Sequence, residues 1–518
     1  MSRIEVHDAV ARYAVTAPDH PAVEDPDRRL SYAALDDEVT ELALGMLAAG
    51  VAPGQRVALH LPNSVDFVVA ALASLRIGAV FVPLAVSDPE ARVDAIIADC
   101  TPAVVVTRDT SERDASPARS GPARWIHYAD LLDPHRTRGG LPECPSGRPA
   151  YAIYTSGTTG APKGVLIGAD AFAAAVHSTV DALGLDRATR TLCVSPVYFD
   201  GSFATVFPTL VAGGTLVLRP REALLYPRSF FSTVHGEGIT YTGFSPSYLK
   251  LLLASRQIGS LDGSTLDIVA LGGEASSASD IRTLWEVAPR LRVFNRYGPT
   301  ETTIAVTHLE LTPELLDEGT VPLGLPHPGV TFHLVDQDGT AVTGEGAVGE
   351  LYIGGTQLMA GYWGAPDLTA SVLRDDVVPG QTVYRTGDLV YRDRWDRYVY
   401  VDRADRVIKR FGVRISLLEL TVAMERLEGV SGAACVIFDN DGETGIAAFV
   451  VSDRTRSTGD LRADAQTLLP ETMLPDRIEL VDELPLTSAG KLDERLLLER
   501  AGLSRTPARP VVSASAPR

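Results

Sequence analysis

The sequence predicts an α/β protein of more than one domain: a large layered N-terminal part, a β-rich stretch, and a small α+β unit at the C-terminus. Three observations predict it. The chain has 518 residues, 45% of them apolar, which is too long for one ordinary core. Strand-like and helix-like patterns alternate through residues 31–107, and again after a glycine-rich loop to about residue 310, as in a parallel sheet covered on both faces. From Gly324 to Gly355 the pattern turns to short strands separated by turn residues.

In order along the chain, Leu35, Val39, Leu42 and Met46 follow helical spacing, and Gly50 ends that run as a C-cap. Pro53-Gly54 turns the chain into a strand, Arg56 to Leu61. Asn63 or Ser64 caps a helix that reaches about Arg76. Ala79 to Val82 is a strand closed by Pro83, and Val104 to Thr107 is another. Residues 108–124 are polar, contain Pro117 and Pro122, and read as a surface loop. Val330 to Val335 and Val348 to Ile353 are short strands around Asp338-Gly339 and Gly344-Glu345-Gly346. Near the end, Ala434 to Phe438 and Ile446 to Val451 flank Asn440-Asp441-Gly442, and a helix runs from about Gly459 to Leu469. The tail after Leu503 is rich in Ala, Pro, Ser and Arg and reads as disordered.

Composition excludes several classes. A net charge of −19 argues against nucleic acid as the main partner. There is no apolar run long enough for a membrane span, and Met1-Ser2-Arg3-Ile4-Glu5 lacks a signal-peptide core. Cys100, Cys144, Cys193 and Cys435 are scattered, which suits a reducing cytoplasm and argues against a zinc or disulfide framework. No internal repeat is evident.

Five stretches carry chemistry, and each also has a plain reading. Tyr154-Thr155-Ser156-Gly157-Thr158-Thr159-Gly160-Ala161-Pro162-Lys163-Gly164 follows a strand. Its glycines, hydroxyls and lysine suit the wrapping of an anion, or form a solvated turn. Gly157 and Lys163 are wrongly spaced for a Walker loop, and Gly164 follows the lysine where Ser or Thr would stand. Asn295-Arg296-Tyr297-Gly298-Pro299-Thr300-Glu301-Thr302 gathers an aromatic ring, a hydroxyl and a carboxylate at a Gly-Pro turn, or is a surface turn. Tyr384-Arg385-Thr386-Gly387-Asp388 ends a strand in a Gly-Asp turn. Arg403-Ala404-Asp405-Arg406-Val407-Ile408-Lys409 is a charged connecting segment. Pro485-Leu486-Thr487-Ser488-Ala489-Gly490-Lys491-Leu492-Asp493 places one lysine in a loop, the usual exposed fate of lysine.

In this order the five stretches resemble the motifs of the adenylate-forming superfamily, which comprises adenylation domains of nonribosomal peptide synthetases, acyl- and aryl-CoA ligases, and luciferases. The resemblance covers nearly the whole chain. It implies a large N-terminal adenylation domain over 1–403, a small mobile C-terminal domain over 404–503 and a disordered tail over 504–518. It implies ATP and Mg²⁺ as cofactors. Thr155, Ser156, Gly157, Thr158, Thr159, Gly160 and Lys163 would cradle phosphates, and Tyr297 would stack on adenine with Asn295 facing its amino group. Arg296, Gly298, Gly273 and Glu274 would line the nucleotide and acyl pocket, although Gly272-Gly273-Glu274 could equally be a plain turn. Thr300 would contact phosphate, and Glu301 would hold Mg²⁺, a hard cation that takes carboxylate ligands. Asp388 would accept the ribose hydroxyls with Arg403 nearby, Asp405 would be the hinge, and Lys491 the catalytic lysine that binds the substrate carboxylate and neutralises the α-phosphate. Three departures stand out: Asp402 replaces a glycine, Ser416-Leu417-Leu418-Glu419 replaces an acidic, glycine-containing run, and Ala489 stands where Asn or Ser is usual.

The same resemblance places Asp200 where amino-acid-activating members pair with the substrate ammonium; its plain reading is a cap on the following helix. The pocket would be lined by Gly201, Ala204, Gly243, Ala270, Gly272, Arg296, Ile304 and Ala305. Their small size predicts room for a bulky or extended substrate. Arg296 pairs either with a substrate carboxylate or with a neighbouring acid of the protein. Stand-alone members that activate β-amino acids for macrolactam antibiotics are similar in keeping the aspartate. No phosphopantetheine-type serine motif follows Lys491, so a discrete carrier protein is expected as the partner. The expected function is ATP-dependent adenylation of an amino acid, favouring a β-amino acid, with transfer to that carrier in natural-product biosynthesis. The alternative is an acyl- or aryl-CoA ligase.

Overall fold

The computed structural model describes residues 4–88, 90–108, 123–133, 140–144, 147–156, 162–316, 319–336, 338–404, 407–410, 413–440, 443–453, 456–469, 474–487 and 491–504. The predicted loop at 109–122, Gly157 to Ala161 of the glycine-rich stretch, the hinge Asp405 and the tail from 505 lie outside them. The chain divides into two compact units: Met1–Ala347 with Leu351–Thr386 and Arg392–Val399, and Val348–Glu350 with Gly387–Tyr391 and Tyr400–Arg518.

Within the first unit the alternating pattern builds two largely parallel sheets. One runs Gly361–Tyr362, Pro162–Gly168, Pro149–Ser156, Val80–Leu84, Arg56–His60, Val104–Thr107, Arg124–His127. The other runs Thr307–Glu310, Arg292–Tyr297, Ile268–Gly272, Tyr241–Phe244, Arg190–Cys193, Thr215–Leu218, Pro21–Glu24, Arg29–Ser31. Connecting helices cover both faces, so strands such as Val104–Thr107 and Ile268–Gly272 are buried at every position. The Asp200–Val211 helix packs Phe203 and Phe207 against Phe81, Tyr151 and Phe172. This aromatic cluster anchors the helix whose first turn enters the site.

Expected and observed bounds differ where pairing overrides local signals. The helix expected to start after Asn63 or Ser64 is Val65–Arg76, and Ser64 caps it through the Phe67 N–H. Pro83 was expected to close its strand but lies inside Val80–Leu84, opposite Leu59. Pairing of that strand on its other side is confined to Phe81↔Tyr151, so a residue without an N–H costs no ladder bond there. A third, β-rich sheet carries the strands Val330–Val335 and Gly349–Gly355.

The second unit holds a three-stranded sheet, Val430–Asn440, Glu443–Ser452 and Arg477–Leu480. Its residues alternate between faces as a pleat requires. Ala433, Cys435, Ala448 and Val450 meet the helices Leu417–Glu425 and Thr458–Leu468, while Ala434, Val436, Phe438 and Phe449 meet Leu497 and Leu498. All four cysteines are free. Among the described residues no helix is long and apolar enough to cross a membrane.

Candidate active site

The glycine-rich stretch is held by a hairpin, not by a strand leading into a helix. Pro149–Ser156 pairs antiparallel with Pro162–Gly168, with Thr155 opposite Lys163. Gly164 faces Tyr154, where a Cβ would fall 2.8 Å from the ring. The next helix along the chain starts only at Ala169, whereas in a Walker loop the helix follows the glycine-rich stretch directly. The Thr155 hydroxyl is buried without a hydrogen-bond partner among the described residues, a polar group still to be satisfied.

Lys163 reaches from that hairpin to Glu301. Its Nζ lies 3.1 Å from Glu301 Oε1, and the Tyr362 hydroxyl donates to the same oxygen at 2.7 Å. The ammonium also lies 4.4 Å from the centre of the Tyr362 ring. Burial, then the Glu301 charge, pushes the Tyr362 phenol far up, so it stays a donor. Glu301 is buried, and its carboxylate already accommodates a cation. This donor set fits Mg²⁺, which binds through one or two carboxylates together with phosphate oxygens.

Thr300 opens the short turn Thr300–Thr302. Behind it, Thr303 and Ile304 have φ of 61° and 68°, two consecutive β-branched residues in the left-handed region, each costing about 1–3 kcal/mol. Gln357 holds them: its Nε2 donates to Ala305 O at 2.7 Å, and its carbonyl oxygen accepts from Thr303 Oγ1 at 2.7 Å. A Cβ on Gly298 would fall 2.5 Å from Ala305 Cα, so the Tyr297-Gly298-Pro299 turn packs directly on Ile304-Ala305. Tyr297 is half-buried, edge-on to Phe332.

Two residues expected at the nucleotide have work within the protein. Asn295 Nδ2 donates to Pro322 O at 2.8 Å and its Oδ1 accepts from Ser276 at 3.0 Å, leaving one lone pair for a ligand. Glu274 accepts from the Ser247 N–H and hydroxyl at 3.0 and 2.6 Å, in the first turn of the Pro246–Leu253 helix, so it serves that helix. Gly273, beside it, has φ 86° and open space around it.

Gly243, Ala270, Gly272 and Arg296 lie on neighbouring parallel strands at their C-terminal ends, where ligands of open α/β sheets bind. Asp200 is the first residue of the Asp200–Val211 helix; Phe199 is the N-cap and makes no side-chain cap bond. Asp200 is thus not the expected cap, and its charge sits where the helix dipole favours it. Ala204 is buried one turn on, and space beside Gly201 is open. The expectation of a roomy pocket needs correction at two glycines. A Cβ on Gly272 would fall 2.4 Å from Arg296 Cγ, and one on Gly243 would fall 3.1 Å from Arg296 Nη1. The space left by those glycines holds the Arg296 side chain.

In the second unit, buried Asp388 pairs with Arg403 Nη1 at 3.2 Å. Asp402, which stands in place of a glycine, is also buried. It accepts from the Arg403 N–H at 2.7 Å and from Leu418 N–H at 3.0 Å, the latter at the start of Leu417–Glu425. The two departures from the motif thus meet in one hydrogen bond. Lys491 is exposed, and its carbonyl accepts from Thr487 N at 2.6 Å. Tyr362, Gln357, His308 and His327 were not singled out from sequence. They come from segments with no local pattern that announces them.

A buried carboxylate holding a cation, a hydroxyl-bearing hairpin and small residues at parallel strand ends make up the candidate site of this α/β fold. The family model for AMP-binding enzymes matches residues 10–363, and that for the AMP-binding enzyme C-terminal domain matches 422–491. The chain therefore belongs to the AMP-binding enzyme family, whose members use ATP with Mg²⁺. It is 32% identical over 503 residues to a dimodular nonribosomal peptide synthase of Bacillus subtilis, covering 95% of this chain and 21% of that one. It is 33% identical over 511 residues to the phosphinothricin tripeptide synthetase PhsC of Streptomyces viridochromogenes, covering 95% and 45%. Among solved structures, holo-AB3403, a four-domain nonribosomal peptide synthetase bound to AMP and glycine, matches with TM-score 0.83 and 25% identity over 100% of this chain and 37% of that one. The chain spans less than half the length of these relatives.

Proposed function

We propose that this chain adenylates an amino acid, favouring a β-amino acid, and passes it to the phosphopantetheine thiol of a discrete carrier protein in natural-product biosynthesis. Asp200 carries the reading: a carboxylate at the head of the helix that borders the pocket suits a substrate ammonium. Similarity to peptide synthetases, one of them bound to AMP and glycine, supports an amino acid as the acid. A retained aspartate in a pocket reshaped by Arg296 supports an amino group displaced from the usual α position.

The substrate carboxylate oxygen attacks the α-phosphorus of ATP. An O–P bond forms, the bond to the bridging oxygen breaks, and pyrophosphate leaves. No side chain need act as a base, because the nucleophile is already ionised. The chain's contribution is to position anions in line and neutralise charge. Lys163 and the Thr155 and Ser156 positions of the hairpin serve phosphates, Tyr297 serves adenine, and Asp388 with Arg403 serves the ribose. Glu301 would hold Mg²⁺, which would supply charge neutralisation at phosphate oxygens. Lys491 binds the reacting carboxylate and the α-phosphate, and Asp405 is the hinge about which the small domain turns to admit the thiol. Thiolate attack on the carbonyl carbon then releases AMP.

ATP–pyrophosphate exchange over fatty, aryl, α-amino and β-amino acids tests this. Exchange with amino acids alone is expected. Exchange with fatty or aryl acids and none with amino acids would replace the reading with an acyl- or aryl-CoA ligase.

A further inference from the structure

Arg296 is buried, at 7% exposure. Its side chain leaves the Arg292–Tyr297 strand, lies over Gly272 and Gly243, and brings Nη2 within 3.5 Å of the Gly201 carbonyl. Nη1 is fully buried with no hydrogen-bond partner among the described residues. Among the described residues no carboxylate lies within ion-pair distance of this guanidinium. The groups that feel its charge are neutral ones: Cys193, Tyr241 and His308.

His308 stands opposite Arg296 across the strand pair, and a chain of bonds places a hydrogen on its Nδ1. Gln357 Nε2 donates to Ala305 O, so Gln357 Oε1 accepts from His327 Nδ1 at 3.0 Å. His327 Nε2 must then accept from His308 Nδ1 at 2.9 Å. Burial, then His327 and Arg296, hold the ring neutral, so its buried Nε2 is bare and has no partner among the described residues. It adds no positive charge and cannot donate to an anion there.

A guanidinium cannot shed its proton, and burying it unpaired is strongly unfavourable. Its position is therefore built for an anion that arrives with the ligand. We infer that Arg296 is the receptor for a second carboxylate, so that the substrate is a short amino dicarboxylic acid: ammonium on Asp200, one carboxylate on Arg296, the other activated. The chain length is short because Arg296 itself fills the trough over Gly243 and Gly272. This rests on the amino acid reading of the same pocket.

The test is ATP–pyrophosphate exchange by the wild type and Arg296→Gln. The substrates are aspartate, glutamate and 3-aminoglutarate, their side-chain amides, and alanine, β-alanine and 3-aminobutanoate. The wild type should prefer one dicarboxylate over its amide by about 10²-fold, and Arg296→Gln should abolish that preference. A wild-type preference for neutral amino acids would overturn the inference without touching the amino acid reading, and needs no variant to be measured. So would equal losses on acid and amide in Arg296→Gln. No exchange with any of these, beside exchange with fatty or aryl acids run in parallel, would overturn the amino acid reading itself.

Discussion

Glu301 is held by two neighbours, an ammonium at 3.1 Å and a phenol at 2.7 Å. Lys163 and Glu301 were legible in the sequence because each sits in a dense motif of unusual residue types. Tyr362 was not: it comes from a two-residue strand, Gly361–Tyr362, and meets Glu301 only once that strand pairs beside Pro162–Gly168. Removing its hydroxyl removes one charge-assisted hydrogen bond that orients the Glu301 carboxylate, the group we propose for Mg²⁺. Tyr362→Phe should raise the Mg²⁺ concentration for half-maximal exchange by about fivefold, equivalent to about 1 kcal/mol; an unchanged Mg²⁺ dependence would show that the phenol has no such role. Arg296 was legible as a residue, but its course across two glycines was not. Sequence gives the smallness of Gly243 and Gly272, not which neighbour fills the space.

Elements were most legible where period and pairing agree. Val104–Thr107 and Val330–Val335 match the expected bounds. The hairpin beneath the glycine-rich stretch was not foreseen, because Lys163 to Gly168 looks like the onset of the next α/β unit until its partner strand is known. The pairing of Arg292–Tyr297 with Thr307–Glu310 also creates the half-buried His308, whose imidazole is pushed well below its ordinary value by burial of its ring nitrogen, then by His327 and Arg296. The neutral form is thus favoured by folding. The stability this gives is present above the unfolded value of about 6.5 and is lost as pH falls from there toward the depressed folded value. The unfolding midpoint of the wild type should therefore fall between pH 7.5 and 5.5, and His308→Asn should show a smaller fall. An equal fall in both would assign the acid sensitivity elsewhere.

At the scale of the whole molecule the chain comprises two units, and the motif residues are shared between them. Lys163, Asp200, Arg296 and Glu301 belong to the first; Asp388, Arg403 and Lys491 belong to the second. The sequence told of a change in pattern toward the C-terminus but not that Gly387–Tyr391 groups with the later residues, since that depends on contacts made far along the chain. If both units serve one reaction, Lys491→Ala should lower adenylation by at least about 10²-fold while ATP binding, read by calorimetry, stays within a few fold. Equal losses of both would make Lys491 a nucleotide ligand, and an unchanged rate would remove it from the chemistry.

The central claim is that an amino acid is recognised through Asp200 and converted to its adenylate. Mass spectrometry of the acyl adenylate formed from ATP by the wild type and by Asp200→Ala tests it most directly. An aminoacyl adenylate from the wild type, reduced by at least about 10²-fold in the variant with ATP binding intact, is the predicted result. The same yield from both proteins, or an adenylate that carries no amino group, would contradict it.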